Sequence, residues 1–128
     1  MTIKEVSERY DITADTLRYY ERVGVIPEVS RTTSGNREYT EEDLKWVKNA
    51  VCLRKANVPV ESIVEYVKLF KEGDETIGAR LFLLTETKEQ LLEEKKKYDE
   101  ALERLEYKIE RYEEALKTGK LIWNKGEK

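Results

Sequence analysis

Apolar residues recur three and four positions apart along most of the chain, the period of helices that bury one face. Ile3 and Val6 give the inner face of a short helix over Thr2–Tyr10, opened by a Thr2/Glu5 capping box in which each side chain satisfies a backbone donor. Asp11 and Ile12 make a tight connection to a second helix, which Thr13 caps and Gly24 ends. Leu17 and Tyr20 form its apolar back, while Asp15, Arg18, Tyr19 and Arg22 fall on another face. Two short helices joined by a few residues are the helix-turn-helix pattern, and two arginines with a tyrosine on the second helix suit a groove lined with phosphates. The same spacing also fits an ordinary helical hairpin with solvated arginines.

The pattern then changes. Pro27 stops helix, Val29–Thr33 is mostly strand-friendly or polar, Ser34-Gly35-Asn36 signals a turn, and Arg37-Glu38-Tyr39 returns. This predicts a small hairpin with arginines on both arms, a wing beside the second helix. Thr40 caps a third helix with an acidic first turn, running to about Ala56, and Pro59 opens a fourth that buries Val60, Ile63, Val64 and Val67.

From Ile77 to Leu116 one seam runs through Ile77, Leu81, Leu84, Lys88, Leu91, Lys95, Tyr98, Leu102, Leu105, Ile109, Tyr112 and Leu116. After a first step of four, the steps alternate three and four, a sustained heptad interrupted only by the two lysines. Forty helical residues reach roughly 60 Å. A head of about seventy residues cannot cover such a seam, and with no glycine or proline between Ala79 and Thr118 the helix cannot fold back on itself. A second copy of the chain is the simplest cover. The organisation is therefore mainly α: a winged helix-turn-helix head at 1–72, a dimerisation helix at 76–117, and a C-terminal tail at 118–128 whose Leu121-Ile122-Trp123 is expected to dock, the partner subunit being one surface for it.

Composition narrows the function. No stretch approaches the roughly 20 apolar residues of a membrane span, and the N-terminus lacks a signal-peptide core, so a cytoplasmic protein without membrane contact is expected. One cysteine and no histidine argue against an intrachain disulfide and against a structural zinc site, and no cofactor is implied. No glycine-rich phosphate loop and no nucleophile–base pair of recognisable spacing is present, so an enzyme is not expected. Net charge is −3, and the first 57 residues are neutral, ten basic against ten acidic. Attraction to DNA must therefore come from where the cations sit.

The string IKEVSERYDITADTLRYYERVGVIPEVSRTTSGNREYTEEDLKWVK resembles the DNA-binding head of MerR-family transcription regulators. TLRYYE, the following G-V-I-P and the hairpin ending N-R-E-Y carry the likeness, which is continuous over roughly the first seventy residues. The long helix also looks like that family's antiparallel dimer coil. The resemblance implies a homodimer that binds a pseudo-palindrome in an over-long promoter spacer and, when active, distorts the DNA so that RNA polymerase can use both promoter elements. By the same resemblance Arg18 and Tyr19 match recognition-helix contacts, Arg22 a phosphate partner, Thr13 a helix start near phosphate, and Arg37 and Tyr39 wing contacts. Tyr20 is a contact or the hydrophobic anchor behind them, and its spacing from Leu17 favours the anchor.

The effector is less constrained. Metal-responsive members use cysteines at the start and beyond the end of the dimer helix, and this chain has none there. Cys52 lies in the third helix with Lys48 four before it and Lys55 three after it; nearby cations favour the reactive thiolate, whereas an unpaired cysteine is also often a small buried hydrophobe. A lone cysteine here resembles the branch of the family that senses reactive aldehydes and other electrophiles. A non-covalent effector bound beside Tyr66, Phe70 and Trp123, and a passive architectural DNA-binding dimer, are the competing readings.

Overall fold

The computed structural model describes residues 1–124, so positions 125–128 of the expected tail lie outside the described residues. The elements are α1 (Ile3–Tyr10), α2 (Ala14–Val23), α3 (Glu41–Lys55), α4 (Val60–Glu72), one 3-10 turn (Asp74–Thr76) and α5 (Ile77–Thr118). They form two compact units, Met1–Lys88 and Glu89–Lys128.

Local chemistry sets the ends of the head helices. The Thr2/Glu5 capping box forms, with the Thr2 N–H donating to Glu5 Oε1 at 2.9 Å and the Glu5 N–H to Thr2 Oγ1 at 3.2 Å. Asp11 takes a left-handed conformation (φ 53°) and turns the chain into α2. Thr13 Oγ1 accepts the Thr16 N–H at 3.0 Å, and Gly24 closes α2 at φ 92°. Thr40 and Asp43 box the start of α3. Pro59 sits one position outside α4, as its N-cap, and the helix starts at Val60.

Val6, Leu17, Val25, Ile26, Val47, Ile63 and Val67 are sealed from solvent and form the core that joins α1 to α4. Tyr20 and Tyr39 lie in the same core, 7% and 2% exposed. Two contributors expected to be inside α4, Val60 and Val64, are only half-buried.

The expected hairpin contracts to a single antiparallel bridge between Arg31 and Arg37. The Thr32 N–H donates to the Asn36 carbonyl at 2.8 Å, and the Glu38 N–H to the Ser30 carbonyl at 2.7 Å. Gly35 turns the tip at φ 89°. At the feet of the two arms the backbone bonds elsewhere: the Val29 N–H donates to Glu21 Oε2 and the Tyr39 N–H to the Met1 carbonyl.

The first compact unit includes the first three turns of α5, to Lys88. The hydroxyl of Thr76 lies 2.6 Å from the Leu69 carbonyl and 2.8 Å from the Gly73 carbonyl. Arg80 donates to Thr76 Oγ1 and to the Gly73 carbonyl, and its guanidinium sits 5.3 Å from the Phe70 ring centre. The start of the long helix is thereby tied to the end of α4.

In the second unit the helix ends at Gly119, whose φ of 76° lets its N–H reach the Ala115 carbonyl at 2.7 Å. The chain then returns along the helix. Trp123 stands edge-on to Tyr112 at 5.8 Å and tilted to Tyr107 at 6.3 Å, and the Asn124 N–H donates to the Tyr107 hydroxyl at 2.7 Å. The tryptophan thus docks on its own helix.

Burial pushes the phenols of Tyr20 and Tyr39 above the usual tyrosine range. The unfolded chain ionises these groups near pH 10 while the folded head resists, so above that pH the folded state holds more protons. Stability is complete below pH 10 and is lost as pH rises through the folded values. Thermal melts followed by circular dichroism should show a falling midpoint above about pH 10. The fall should be shallower in a Tyr20→Phe/Tyr39→Phe variant.

Candidate nucleic-acid interface

The exposed face of α2 carries the cations. Arg18 and Arg22 are one helical turn apart, and both are exposed. Arg18 Nη1 bonds Asp15 Oδ1 at 2.8 Å with both side chains largely in solvent, a pair that holds the guanidinium in place and adds little stability. Arg22 lies 5.4 Å over the ring of Tyr19, which keeps ring and cation together on the surface. Thr13 is exposed at the start of the helix. Its hydroxyl already accepts one backbone N–H and lies 2.8 Å from the Thr16 hydroxyl.

Beside this face is an open cleft of about 260 Å³ where Thr2, Arg18, Arg31, Asn36 and Arg37 converge. The tertiary structure therefore places one α2 arginine and both wing arginines around one concavity. Arg37 is only 20% exposed, because its Nε donates to Glu21 Oε1 at 2.6 Å. Glu21 Oε2 accepts the Val29 N–H at 3.2 Å and lies 3.9 Å from Arg31 Nη2.

Of the residues expected to touch DNA, Thr13, Arg18, Tyr19 and Arg22 are presented to solvent, and Arg37 is presented in part. Tyr20 and Tyr39 are both core residues: Tyr20 takes the anchor place that its spacing favoured over a contact, while Tyr39, expected as a wing contact, is turned inward. Tyr20 follows Leu17 by three and shares its inward face. Tyr39 fills the space between the wing and the first residues of the chain, where its N–H donates to the Met1 carbonyl at 2.8 Å. Its hydroxyl is buried without a partner. Arg31 was expected on the wing but not as a contact, and Glu21 was not singled out by sequence reasoning. The signal for Glu21 was its place four residues after Leu17, which puts a carboxylate on the apolar face and demands a partner there.

Cys52 is exposed on α3 in this chain, which removes the buried-hydrophobe reading at the level of one subunit. The aromatic residues suggested for a non-covalent effector already have protein partners. Trp46 stands T-shaped to Phe70 at 4.9 Å and tilted to Tyr66 at 6.1 Å, while Trp123 packs on Tyr107 and Tyr112. Among the described residues no helix is long and apolar enough to cross a membrane, and no group of three or more histidine, cysteine or acidic residues could hold a metal.

A two-helix unit with a cationic exposed face, a short arginine-bearing wing and a long following helix together define a winged helix-turn-helix DNA-binding protein. The family model for the MerR HTH family of regulatory proteins matches residues 1–69, and the chain belongs to that family of transcriptional regulators. The chain is 47% identical over 93 residues to the HTH-type transcriptional regulator AdhR of Bacillus subtilis; the match covers 73% of this chain and 66% of that protein. A solved protein from Listeria monocytogenes, described as of the MerR family of transcriptional regulators, superposes with a TM-score of 0.88 at 39% identity, covering 93% of this chain and 90% of that one. HiNmlR, a MerR-family regulator lacking the sensor domain and solved bound to promoter DNA, superposes at 0.81 with 31% identity, covering 94% and 95%. These relatives are regulators and not enzymes.

Proposed function

We propose that the protein is a homodimeric promoter-binding regulator that activates transcription by distorting the DNA between the promoter elements, in response to an electrophile that modifies Cys52. The observation that carries the DNA-contact part is the convergence of Arg18, Arg31 and Arg37 on one cleft, next to the exposed Tyr19–Arg22 pair. Guanidinium groups placed this way suit two neighbouring phosphates, and phosphate contacts fix position and register. Thr13 joins them as a helix-start contact.

Dimerisation follows from α5, in which no residue is buried within one chain. Leu81, Leu84, Tyr98, Leu102, Leu105, Ile109, Tyr112 and Leu116 are all exposed, and Leu91 is half-buried. A stripe of this length and period has the chemistry of a coiled-coil seam. An antiparallel pairing gives two heads related by a two-fold axis, and half-sites spaced to match it. Bending and untwisting the spacer costs energy that contacts from both heads offset, and the distorted spacer then aligns the promoter elements for RNA polymerase.

The likeness to AdhR and the exposure of Cys52 support the thiol reading. Addition of an aldehyde carbon to the sulfur enlarges a side chain on α3, the helix that packs directly on α4. Because α4 is tied to the start of α5 through Thr76 and Arg80, such a change can pass from the head to the dimer helix.

In vitro transcription from the protein's own promoter, with and without formaldehyde or methylglyoxal, tests the effector. Induction should occur with wild type and be lost with Cys52→Ser. Equal induction by both proteins would move the effector to a non-covalent site, and a response from neither would leave a DNA-binding dimer without this signal. Arg18→Ala should lower operator affinity about tenfold or more, whereas Arg22→Ala should weaken all duplexes alike and reduce the salt slope by about one. These are read by fluorescence anisotropy at several salt concentrations. Leu102→Asp should give a monomer in analytical ultracentrifugation and lose operator binding; a dimer would refute the seam.

A further inference from the structure

Glu21 holds a carboxylate that is 9% exposed, on the same helix that presents Arg18 and Arg22. Its Oε1 accepts Arg37 Nε at 2.6 Å. Its Oε2 accepts the Val29 N–H at 3.2 Å and lies 3.9 Å from Arg31 Nη2. One side chain of α2 thus grips both arms of the wing. We propose that Glu21 is a specificity-determining residue of the DNA interface, setting the position of the wing arginines against the α2 arginines and cancelling charge that would otherwise bind any duplex. The inference rests on the DNA-contact reading given above.

The wing itself supplies the reason. Its only cross-strand pair among the described residues is Arg31 opposite Arg37. Like charges directly opposite each other repel and would splay so short a hairpin. The Glu21 carboxylate lies within 3.9 Å of both guanidinium groups and offsets that repulsion at its source. Arg31 then has a defined course, with Nη1 donating to the Gly35 carbonyl at 3.0 Å, and the tip is ordered with it.

The consequence for recognition follows from how duplexes attract proteins. Cation–phosphate attraction is blind to sequence, and every additional uncompensated cation strengthens binding to all DNA. Register comes from holding the cations at one spacing, so that only a duplex with matching groove shape meets all of them together. A carboxylate beneath two arginines does both things: it lowers the sequence-blind attraction and fixes the spacing. The neutral balance of the first 57 residues, ten basic against ten acidic, agrees with a head that relies on placement.

The test uses the full chain and fluorescence anisotropy, with a duplex from its own promoter and a scrambled duplex of equal length and composition. Glu21→Gln keeps the size of the side chain and an oxygen for the Val29 N–H but removes the charge. The expected result is tighter binding to scrambled DNA, a salt slope steeper by about one per head, and a promoter-to-scrambled affinity ratio lowered about tenfold or more. An unchanged ratio, or a parallel loss on both duplexes together with a lowered melting temperature, overturns the inference in favour of a purely structural tie.

Arg37→Gln, measured alone and in the Glu21→Gln background with the melting temperature of each protein recorded, provides a second readout. Its effect on the ratio should shrink in the Glu21→Gln background, because the two groups act as a pair; strict additivity overturns the inference. A wild-type protein that prefers neither duplex defeats the proposed function itself. A discriminating wild type with a discriminating Glu21→Gln variant defeats only the role of Glu21.

Discussion

An apolar seam runs along α5, and among the described residues it stays largely exposed, with no residue of that helix buried. Fully burying one such side chain is worth roughly 1.5–3 kcal/mol relative to leaving it in water. Six residues of the second unit alone, from Tyr98 to Leu116, stand exposed on the seam. In the proposed dimer a second copy of the chain covers this stripe. The tail adds to the same unit without covering the seam's full length: Trp123 leans on Tyr107 and on the edge of Tyr112, and Leu116 stays 88% exposed.

The head meets a different difficulty, since it must attract a polyanion while carrying no net positive charge. Its answer is local. Each arginine of the interface is held by a neighbour: Arg18 by Asp15, Arg22 by the Tyr19 ring, Arg37 by Glu21, and Arg31 by the Gly35 carbonyl and Glu21. Held cations lose less side-chain entropy on meeting phosphates than free ones do. The Arg18–Asp15 pair is solvent-exposed and weak, whereas the Glu21–Arg37 tie is largely shielded from solvent. The candidate interface therefore combines a loosely paired cation on α2 with a wing held by a shielded carboxylate.

In the proposed switch, transmission between the head and the long helix runs through the short connection after α4. Gly73, in a conformation few other residues adopt (φ 102°), breaks α4, and Thr76 and Arg80 then reclose the gap with hydrogen bonds back to Leu69 and Gly73. The Phe70 ring is clasped between Trp46 of α3 and Arg80 of α5. Cys52 belongs to that same α3, so a group added there acts on a helix already engaged with the joint.

Much was legible in the sequence because it is local. The caps at Thr2, Thr13 and Thr40, the stops at Gly24 and Gly73, and the heptad seam depend on residues within a turn or two of one another, so their spacing alone determined the helices. The motif TLRYYE and the arginine hairpin gave the family in the same way, through residues contiguous in the chain. What only the tertiary structure decided involves groups far apart in sequence. Tyr39 reads as a surface wing residue until its N–H is seen bonded to Met1, 38 residues away. Arg37 reads as a free cation until Glu21, 16 residues earlier, is found beneath it. Trp123 turns back on Tyr107, and the first turns of α5 pack with the head in one compact unit. Periodicity tells which face of an element turns inward; which distant charge or ring waits there depends on how the elements pack, and a one-dimensional pattern carries no measure of that.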